Sequence, residues 1–134
     1  MKKFKLISIV DDDPIAIFGI HKMLNLTVEC ETIESYINGK VALDGLNKRF
    51  KDSEVIPDVI FLDINMPIMD GWQFLEEFIK LPITKKIRIN IVTSSIDPYD
   101  KQKWEQYKDQ THHLITFNNK PMKKEDIAKI TKTA

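Results

Sequence analysis

Five short apolar segments, each followed by a stretch with helical spacing, constrain the fold of this chain more than any other feature. Short runs rich in β-branched residues are typical of buried strands. Strands that alternate with helices form a parallel sheet covered on both faces. The sequence therefore predicts an α/β fold with a doubly wound, five-stranded parallel sheet. Its predicted strands are Leu6–Val10, Val28–Ile33, Val59–Leu62, Ile87–Val92 and Leu114–Phe117.

The intervening stretches carry helix signals. Asp13-Pro14 and Asp97-Pro98 each place a carboxylate at an N-cap and a proline at the first helical position. We expect the first helix to bury an apolar stripe of Ile15, Phe18, Ile20 and Leu24. Further helices are predicted over Gly39–Phe50 with Val41 inward, over Gly71–Lys80 with Trp72, Phe74 and Phe78 packed, and over Lys124–Thr133. Exposed loops are predicted over Asn47–Pro57 and Lys108–His113.

Length and composition fit one globular unit. The 134 residues suit a single domain over 1–134, and lysine plus arginine equals aspartate plus glutamate at 20 each. This balance gives no reason to expect binding to nucleic acid or to a membrane surface. The single cysteine, Cys30, is expected to be a small buried residue in a reducing compartment. The start MKKFKLISIV runs into DDD instead of a cleavage site, so we expect a cytoplasmic protein.

Polar residues follow four of the five predicted strands. Asp11 and Asp12 come after the first strand, Asp63 after the third, Thr93 after the fourth and Lys120 after the fifth. Because the carboxyl ends of parallel strands lie at one edge of a sheet, these side chains are expected to meet in one cleft.

The residue types in this cleft indicate a chemistry. Carboxylate oxygens without histidine or cysteine favour Mg²⁺ or a similar hard cation. A cation, an ammonium group and a hydroxyl together suit phosphoryl transfer, in which charge neutralisation does most of the catalysis. One carboxylate can then act as the nucleophile and form an aspartyl phosphate.

The motifs around these residues resemble those of response-regulator receiver domains of two-component systems. The run IFLDINMPIMDG, residues 60–71, is similar to the phosphoacceptor signature D-x-x-M-P-x-x-D-G. IVDDDP, IVTSS and NNKP match the other three family motifs in the right order. The resemblance spans almost the whole chain and implies a flavodoxin-like, CheY-like fold.

The resemblance also implies the role of each site residue. Asp63 takes the phosphoacceptor position, and Asp11, Asp12, Asp63 and the backbone carbonyl of Asn65 take the Mg²⁺ positions, with Asp12 the more direct ligand of the acidic pair. Thr93 and Lys120 take the positions that bind phosphoryl oxygens. Thr93 and Phe117 take the switch positions, and the bond before Pro121 is usually cis in the family.

The resemblance implies a signalling protein and not an enzyme. The phosphoryl donor is expected to be a sensor histidine kinase or a histidine phosphotransfer protein, and the output a downstream protein target. Because the chain ends just after the fifth predicted helix, we expect a stand-alone receiver without an output domain. We further expect a monomer or a weak, phosphorylation-dependent dimer.

Two departures from the family pattern are visible. The intervals from Asp12 to Asp63 and from Thr93 to Lys120 are longer than usual, which predicts longer surface loops. Phe117 stands where tyrosine is common, so the switch side chain has no hydroxyl.

Other conspicuous residues have simpler interpretations. Asp13 is predicted to be a helix cap and Asp70-Gly71 a turn before a helix. The three histidines, His21, His112 and His113, are predicted to be structural or surface residues. His21 has no partner at metal-ligand spacing, and adjacent residues of a strand, such as His112 and His113, are expected to point to opposite faces and so to chelate poorly. Trp104 and Tyr107 on the fourth helix fit either partner binding or inward packing.

Two other functions fit parts of the pattern. A small Mg²⁺-dependent phosphatase with an aspartyl nucleophile commonly has a second acid two residues later, and Asn65 stands there instead. A degenerate receiver that only binds partners would have lost some of Asp12, Asp63, Thr93 and Lys120, and all four are present.

Overall fold

A five-stranded parallel sheet with the order β2-β1-β3-β4-β5 forms the centre of the computed structural model, which describes residues 2–134. Five helices connect and follow the strands, which confirms the predicted fold class. The strands are β1 (Lys3–Val10), β2 (Glu29–Tyr36), β3 (Val59–Leu62), β4 (Arg88–Thr93) and β5 (Leu114–Asn119). The helices are α1 (Pro14–Thr27), α2 (Gly39–Lys51), α3 (Gly71–Phe78), α4 (Pro98–Lys108) and α5 (Lys124–Ile130).

The two faces of the sheet carry separate apolar cores. Helices α1 and α5 pack against each other over one face, where Phe61, Leu24 and Ile127 are buried. Helices α2, α3 and α4 cover the other face over a larger core that includes Trp72, Phe74 and Phe78. Because both faces are covered, the central strands β3 and β4 are buried along their whole length. This burial explains the entirely apolar sequence of β3, whereas β4 also buries the polar residues Arg88, Asn90 and Thr93.

The first helix buries only part of the predicted stripe. Ile20 and Leu24 are buried, whereas Ile15 is 80% and Phe18 67% exposed. At 100° per residue, positions 15 and 18 lie opposite positions 20 and 24, so the four residues cannot share one face. The prediction for Ile15 and Phe18 was therefore wrong, and α1 presents an apolar outer face.

Several other boundaries and burials differ from the predictions. Strand β2 extends to Tyr36, α5 ends at Ile130, and α2 continues through Lys51 into the stretch predicted to be a loop. Val41 is 43% exposed instead of inward-facing. Cys30 is half-buried on the edge strand β2, and its Sγ lies 3.0 Å from the carbonyl oxygen of Thr32.

Within residues 2–134, no helix combines the length and the apolar character needed to cross a membrane.

Candidate functional site

The register of the sheet brings the strand-end residues together. Val10 pairs with Leu62, and Leu62 pairs with Ile91. The residues that follow β1 and β3, Asp11 and Asp63, therefore lie side by side. Asp63 N–H donates to the carbonyl oxygen of Val10 (2.9 Å), which fixes the end of β3 against β1.

Three carboxylates form the acidic part of the site. Asp11, Asp12 and Asp63 each offer one carboxylate oxygen, and these oxygens lie within 4.8 Å of one another. Asp11 and Asp63 are buried and Asp12 is exposed. Such a set of hard oxygen donors fits a divalent cation such as Mg²⁺, with Asp12 as the carboxylate most open to solvent.

Lys120 supplies the positive charge of the site. Its Nζ lies 2.9 Å from Oδ2 of Asp11 and 4.0 Å from Oδ2 of Asp63. Burial alone lowers the pKa of Lys120, but the hydrogen bond to Asp11 and the charge of Asp63 outweigh it, so the pKa is raised overall. The ammonium group is therefore charged at neutral pH. The following Lys120–Pro121 peptide bond is cis, as the resemblance implies.

Asp63 has the most perturbed carboxyl group of the site. Burial, together with the neighbouring charge of Asp11, raises its pKa to about 6, although Lys120 and the N–H of Ile64 act in the opposite direction. Oδ1 accepts a hydrogen bond from the Ile64 N–H (2.9 Å), and Oδ2 faces Lys120. A bound cation would relieve the repulsion that raises this pKa.

Gly71 allows α3 to begin directly against the backbone of Asp63. A Cβ at position 71 would lie 2.5 Å from the carbonyl oxygen of Asp63. This distance is too short for any residue other than glycine. Asp70 caps this helix, because its Oδ1 accepts from the Gln73 N–H (2.8 Å) and Gln73 Oε1 accepts from the Asp70 N–H. This cap agrees with the predicted turn before a helix.

Asp13 is likewise a cap. Its Oδ1 accepts a hydrogen bond from the Ile15 N–H (2.9 Å), and Pro14 is the first residue of α1. Asp11 supports the same turn, since its Oδ1 accepts from the Asp13 N–H (2.9 Å). The acids of IVDDDP thus divide into two that face the cleft and one that starts the helix.

The predicted switch residues lie on β4 and β5. Thr93 is fully buried, and its Oγ1 accepts from the Ser95 N–H (3.1 Å). Phe117 is half-buried, and its ring centroid lies 6.0 Å from that of Trp104. Trp104 donates its Nε1–H to the carbonyl oxygen of Ile115 (2.8 Å), and Tyr107 stacks on Trp72. Trp104 and Tyr107 therefore pack inward, whereas Tyr99 at the start of α4 is 55% exposed.

Asn65 lies exposed in the loop between β3 and α3. Its predicted contribution, the backbone carbonyl, stays a prediction, as do the roles of the other site residues.

Sequence reasoning missed a buried acid near the site. Asp100 in the first turn of α4 is 8% exposed, and it accepts hydrogen bonds from Trp72 Nε1 (2.9 Å) and Ser95 Oγ. Asn119 also holds the loop after β4, by donating to the carbonyl oxygen of Ser95 (2.9 Å). No sequence signal separates Asp100 from an ordinary acid in a first helical turn.

A comparison with known protein families identifies the family of this chain. The family described as "Response regulator receiver domain" matches residues 7–132. The chain belongs to the response regulator receiver family. Receiver domains of this family bind Mg²⁺ at an acidic cluster, and Asp11, Asp12 and Asp63 form such a cluster in this receiver.

Known relatives agree with this assignment. A crystal structure of a two-component response regulator from Cytophaga hutchinsonii is similar over 96% of this receiver and 95% of that chain, with a TM-score of 0.80 and 27% identity. Hybrid signal transduction histidine kinase L of Dictyostelium discoideum is 35% identical over 92% of this receiver and 7% of its own length. An uncharacterised response regulatory protein of Vibrio cholerae is 28% identical over 90% of this receiver and 41% of its own length.

This receiver therefore spans less than half the length of these two curated relatives. Protein-glutamate methylesterases also match, over about a fifth of their length in the case of Methanococcoides burtonii (19%). What matches is the receiver portion, so the activities of the longer proteins are not assigned to this chain.

Proposed function

We propose that Asp63 accepts a phosphoryl group from a phosphohistidine on a sensor histidine kinase or a histidine phosphotransfer protein. The observation that carries this proposal is the position of the Asp63 carboxylate, which clusters with Asp11 and Asp12 and whose Oδ2 lies 4.0 Å from Lys120 Nζ. A nucleophile, a cation-binding acidic cluster and a fixed ammonium group are the components that phosphoryl transfer requires.

Each site residue would have a separate role in the phosphoryl transfer. Asp12, Asp63 and the carbonyl of Asn65 would hold Mg²⁺, with Asp11 close by, and the bound ion supplies shielding of the phosphoryl charge. Oδ2 of Asp63 attacks phosphorus, the phosphorus–nitrogen bond to histidine breaks, and an acyl phosphate forms. Lys120 and the hydroxyl of Thr93 then bind phosphoryl oxygens.

Phosphorylation would change the surface that the receiver presents to a downstream protein. The phosphoryl group adds roughly −1.5 to −2 charges at neutral pH, which favours a conformation with Thr93 drawn toward Asp63. Phe117, half-buried beside Thr93's strand, would fill the space that Thr93 leaves. A downstream protein would recognise the altered surface of α4, β5 and α5.

An apolar surface beside the cleft supports a protein as the phosphoryl donor. Ile15 and Phe18 on the outer face of α1 are exposed, and a groove of about 220 Å³ lies between α1 and residues 120–122. Lys120 lines this groove and also contacts Asp11 in the cleft. A protein that packs on the apolar groove can therefore place a phosphohistidine at Asp63.

The proposal is tested with small phosphoryl donors. The chain is incubated with acetyl phosphate or phosphoramidate, with and without Mg²⁺, and its intact mass is measured. We expect one added phosphoryl group, less without Mg²⁺ and none in Asp63→Ala. A folded chain that takes up no phosphoryl group from either donor contradicts the proposal, whereas steady turnover of phosphate esters would favour the phosphatase.

A further inference from the structure

A partly buried chain of hydrogen bonds links the loop after β4 to helices α4 and α3. Asp100 on α4 accepts from Ser95 Oγ in the loop and from Trp72 Nε1 on α3 (2.9 Å). Asp100 is 8% and Trp72 7% exposed, and Trp72 also stacks on Tyr107 of α4. We call Ser95, Asp100 and Trp72 the latch.

The latch holds a carboxylate that has no cationic partner. None of the salt bridges among residues 2–134 involves Asp100. A nearly buried carboxylate therefore depends on its two hydrogen-bond donors, and bonds to a charged acceptor are stronger than those between neutral groups. Moving Ser95 away would leave one oxygen of Asp100 without its donor, which disfavours that movement.

Ser95 is also the residue that holds Thr93. Its N–H donates to Thr93 Oγ1 (3.1 Å), while its carbonyl oxygen accepts from Asn119 Nδ2 (2.9 Å). Thr93 makes no hydrogen bond to Asp63 in the described chain. A movement of Thr93 toward a phosphoryl group on Asp63 therefore displaces Ser95 and strains the latch.

We propose that Ser95, Asp100 and Trp72 are positioning residues that hold the loop after β4 in its phosphoryl-free conformation. Breaking the latch would shift the population toward the conformation that binds a phosphoryl group. The inference rests on the proposed function of Asp63 and Thr93, and it adds a residue on α4 and another on α3 that set the threshold for switching.

The test uses beryllofluoride, a phosphoryl mimic, titrated in the presence of Mg²⁺. Ser95→Ala removes the donor to Asp100, and we expect affinity for beryllofluoride to rise about tenfold, the equivalent of one hydrogen bond to a charged group. Ser94→Ala is the matched control, because Ser94 is the exposed neighbour, and Ser95→Thr, which keeps the hydroxyl, should restore wild-type affinity.

The indole N–H resonance of Trp72 gives a second readout at the far end of the latch. We expect it to move in Ser95→Ala toward its position in the wild type saturated with beryllofluoride, while Ser94→Ala leaves it in place. If Ser95→Ala folds poorly, Asp100→Asn serves in its place. This variant removes the charge of Asp100 and should likewise raise the affinity for beryllofluoride.

The failures of the two proposals are distinguishable. If Ser95→Ala and Asp100→Asn fold but bind beryllofluoride no more tightly than the wild type does, the latch alone is contradicted. A wild type that binds no beryllofluoride and takes up no phosphoryl group contradicts the proposed function, and the latch with it.

Discussion

Lys120 and Asp11, 109 positions apart in the sequence, form an ion pair of 2.9 Å at the carboxyl edge of the sheet. The same ammonium group lies 4.0 Å from Asp63. One cation is thus shared among three carboxylates, which leaves two uncompensated negative charges when all three are ionised. A divalent cation matches this charge. Burial is the main cause of the raised pKa of Asp63, and the neighbouring negative charge of Asp11 raises it further.

The division of IVDDDP into metal-site and cap residues gives the first prediction. Asp12→Asn and Asp13→Asn each remove one charge from adjacent positions, but only Asp12 belongs to the carboxylate cluster. We expect Asp12→Asn to lower Mg²⁺ affinity roughly tenfold or more, because ligand charge sets the affinity of such sites. Asp13→Asn, which keeps the cap, should lower it much less. Calorimetric titration with Mg²⁺ measures both, and equal losses would contradict the division.

Loss of the cap itself should affect stability. Asp13→Ala removes the acceptor for the Ile15 N–H, so we expect the free energy of unfolding to fall by about 0.5–2 kcal/mol. Phosphoryl uptake from acetyl phosphate should persist in the folded fraction of this variant.

Asp63 is expected to cost stability when no cation is bound. Its pKa in the folded chain, about 6, lies above its ordinary value of 3.8, so the folded state binds more protons between these pH values and stability falls as pH rises through them. We expect Asp63→Asn to raise the free energy of unfolding at pH 7 by about 1–3 kcal/mol in chelator. Urea unfolding measures this. Asp109→Asn, an exposed control, should show no gain.

His113 should have the opposite pH dependence. It is 3% exposed, its Nδ1 accepts from the Ile87 N–H (3.0 Å), and burial, aided by the charge of His112, lowers its pKa from 6.5 to about 4. The unfolded chain then binds more protons between pH 4 and 6.5. Stability from this group is complete above pH 6.5 and falls as pH drops toward 4, by about 2–3 kcal/mol.

The two opposing effects overlap in the wild type, so the His113 effect is measured in the Asp63→Asn background. Urea unfolding at a series of pH values should show a decline below pH 6.5 that His113→Asn flattens. His112→Asn, at the exposed neighbour, should leave the decline in place. A decline that persists unchanged without His113 would contradict the assignment.

The sequence predicts the sheet and the meeting of the strand-end residues because both follow from chain topology. Five buried strands with helical connections allow few arrangements, and parallel strands place Asp11, Asp63 and Lys120 at one edge whatever the details of packing. The motif spacing then limits the residues that can fill each position.

Features that depend on packing were beyond sequence reasoning. Helix α1 is apolar on two faces, so periodicity does not say whether Phe18 or Leu24 is buried. His113 and Asp100 look like surface residues in the sequence, and their burial depends on Ile87 and Trp72 from other elements. These are tertiary contacts between residues distant along the chain.

Ile68 provides a prediction of local strain. It adopts a φ of 71°, in the left-handed region that is unfavourable for a β-branched residue, and it is 82% exposed. We expect Ile68→Asn to raise the free energy of unfolding by about 1 kcal/mol, because asparagine tolerates this conformation. Thermal and urea unfolding measure it. Ile96→Asn, at an exposed position without a positive φ, should not raise the free energy of unfolding. An equal rise in Ile96→Asn would mean that the loss of an exposed apolar side chain, and not relief of backbone strain, causes the effect.

Chemical mapping of the phosphoryl group tests most directly whether Asp63 is the phosphoacceptor. The chain is treated with phosphoramidate and Mg²⁺, and the acyl phosphate is reduced with borohydride, which converts a phosphorylated aspartate to homoserine. Peptide mass spectrometry then locates the homoserine. We predict homoserine at position 63 in the wild type and in Asp13→Asn. In Asp12→Asn we predict a much lower yield of homoserine at this position. Homoserine at another aspartate, or phosphate retained on a histidine with position 63 unmodified, would contradict the assignment.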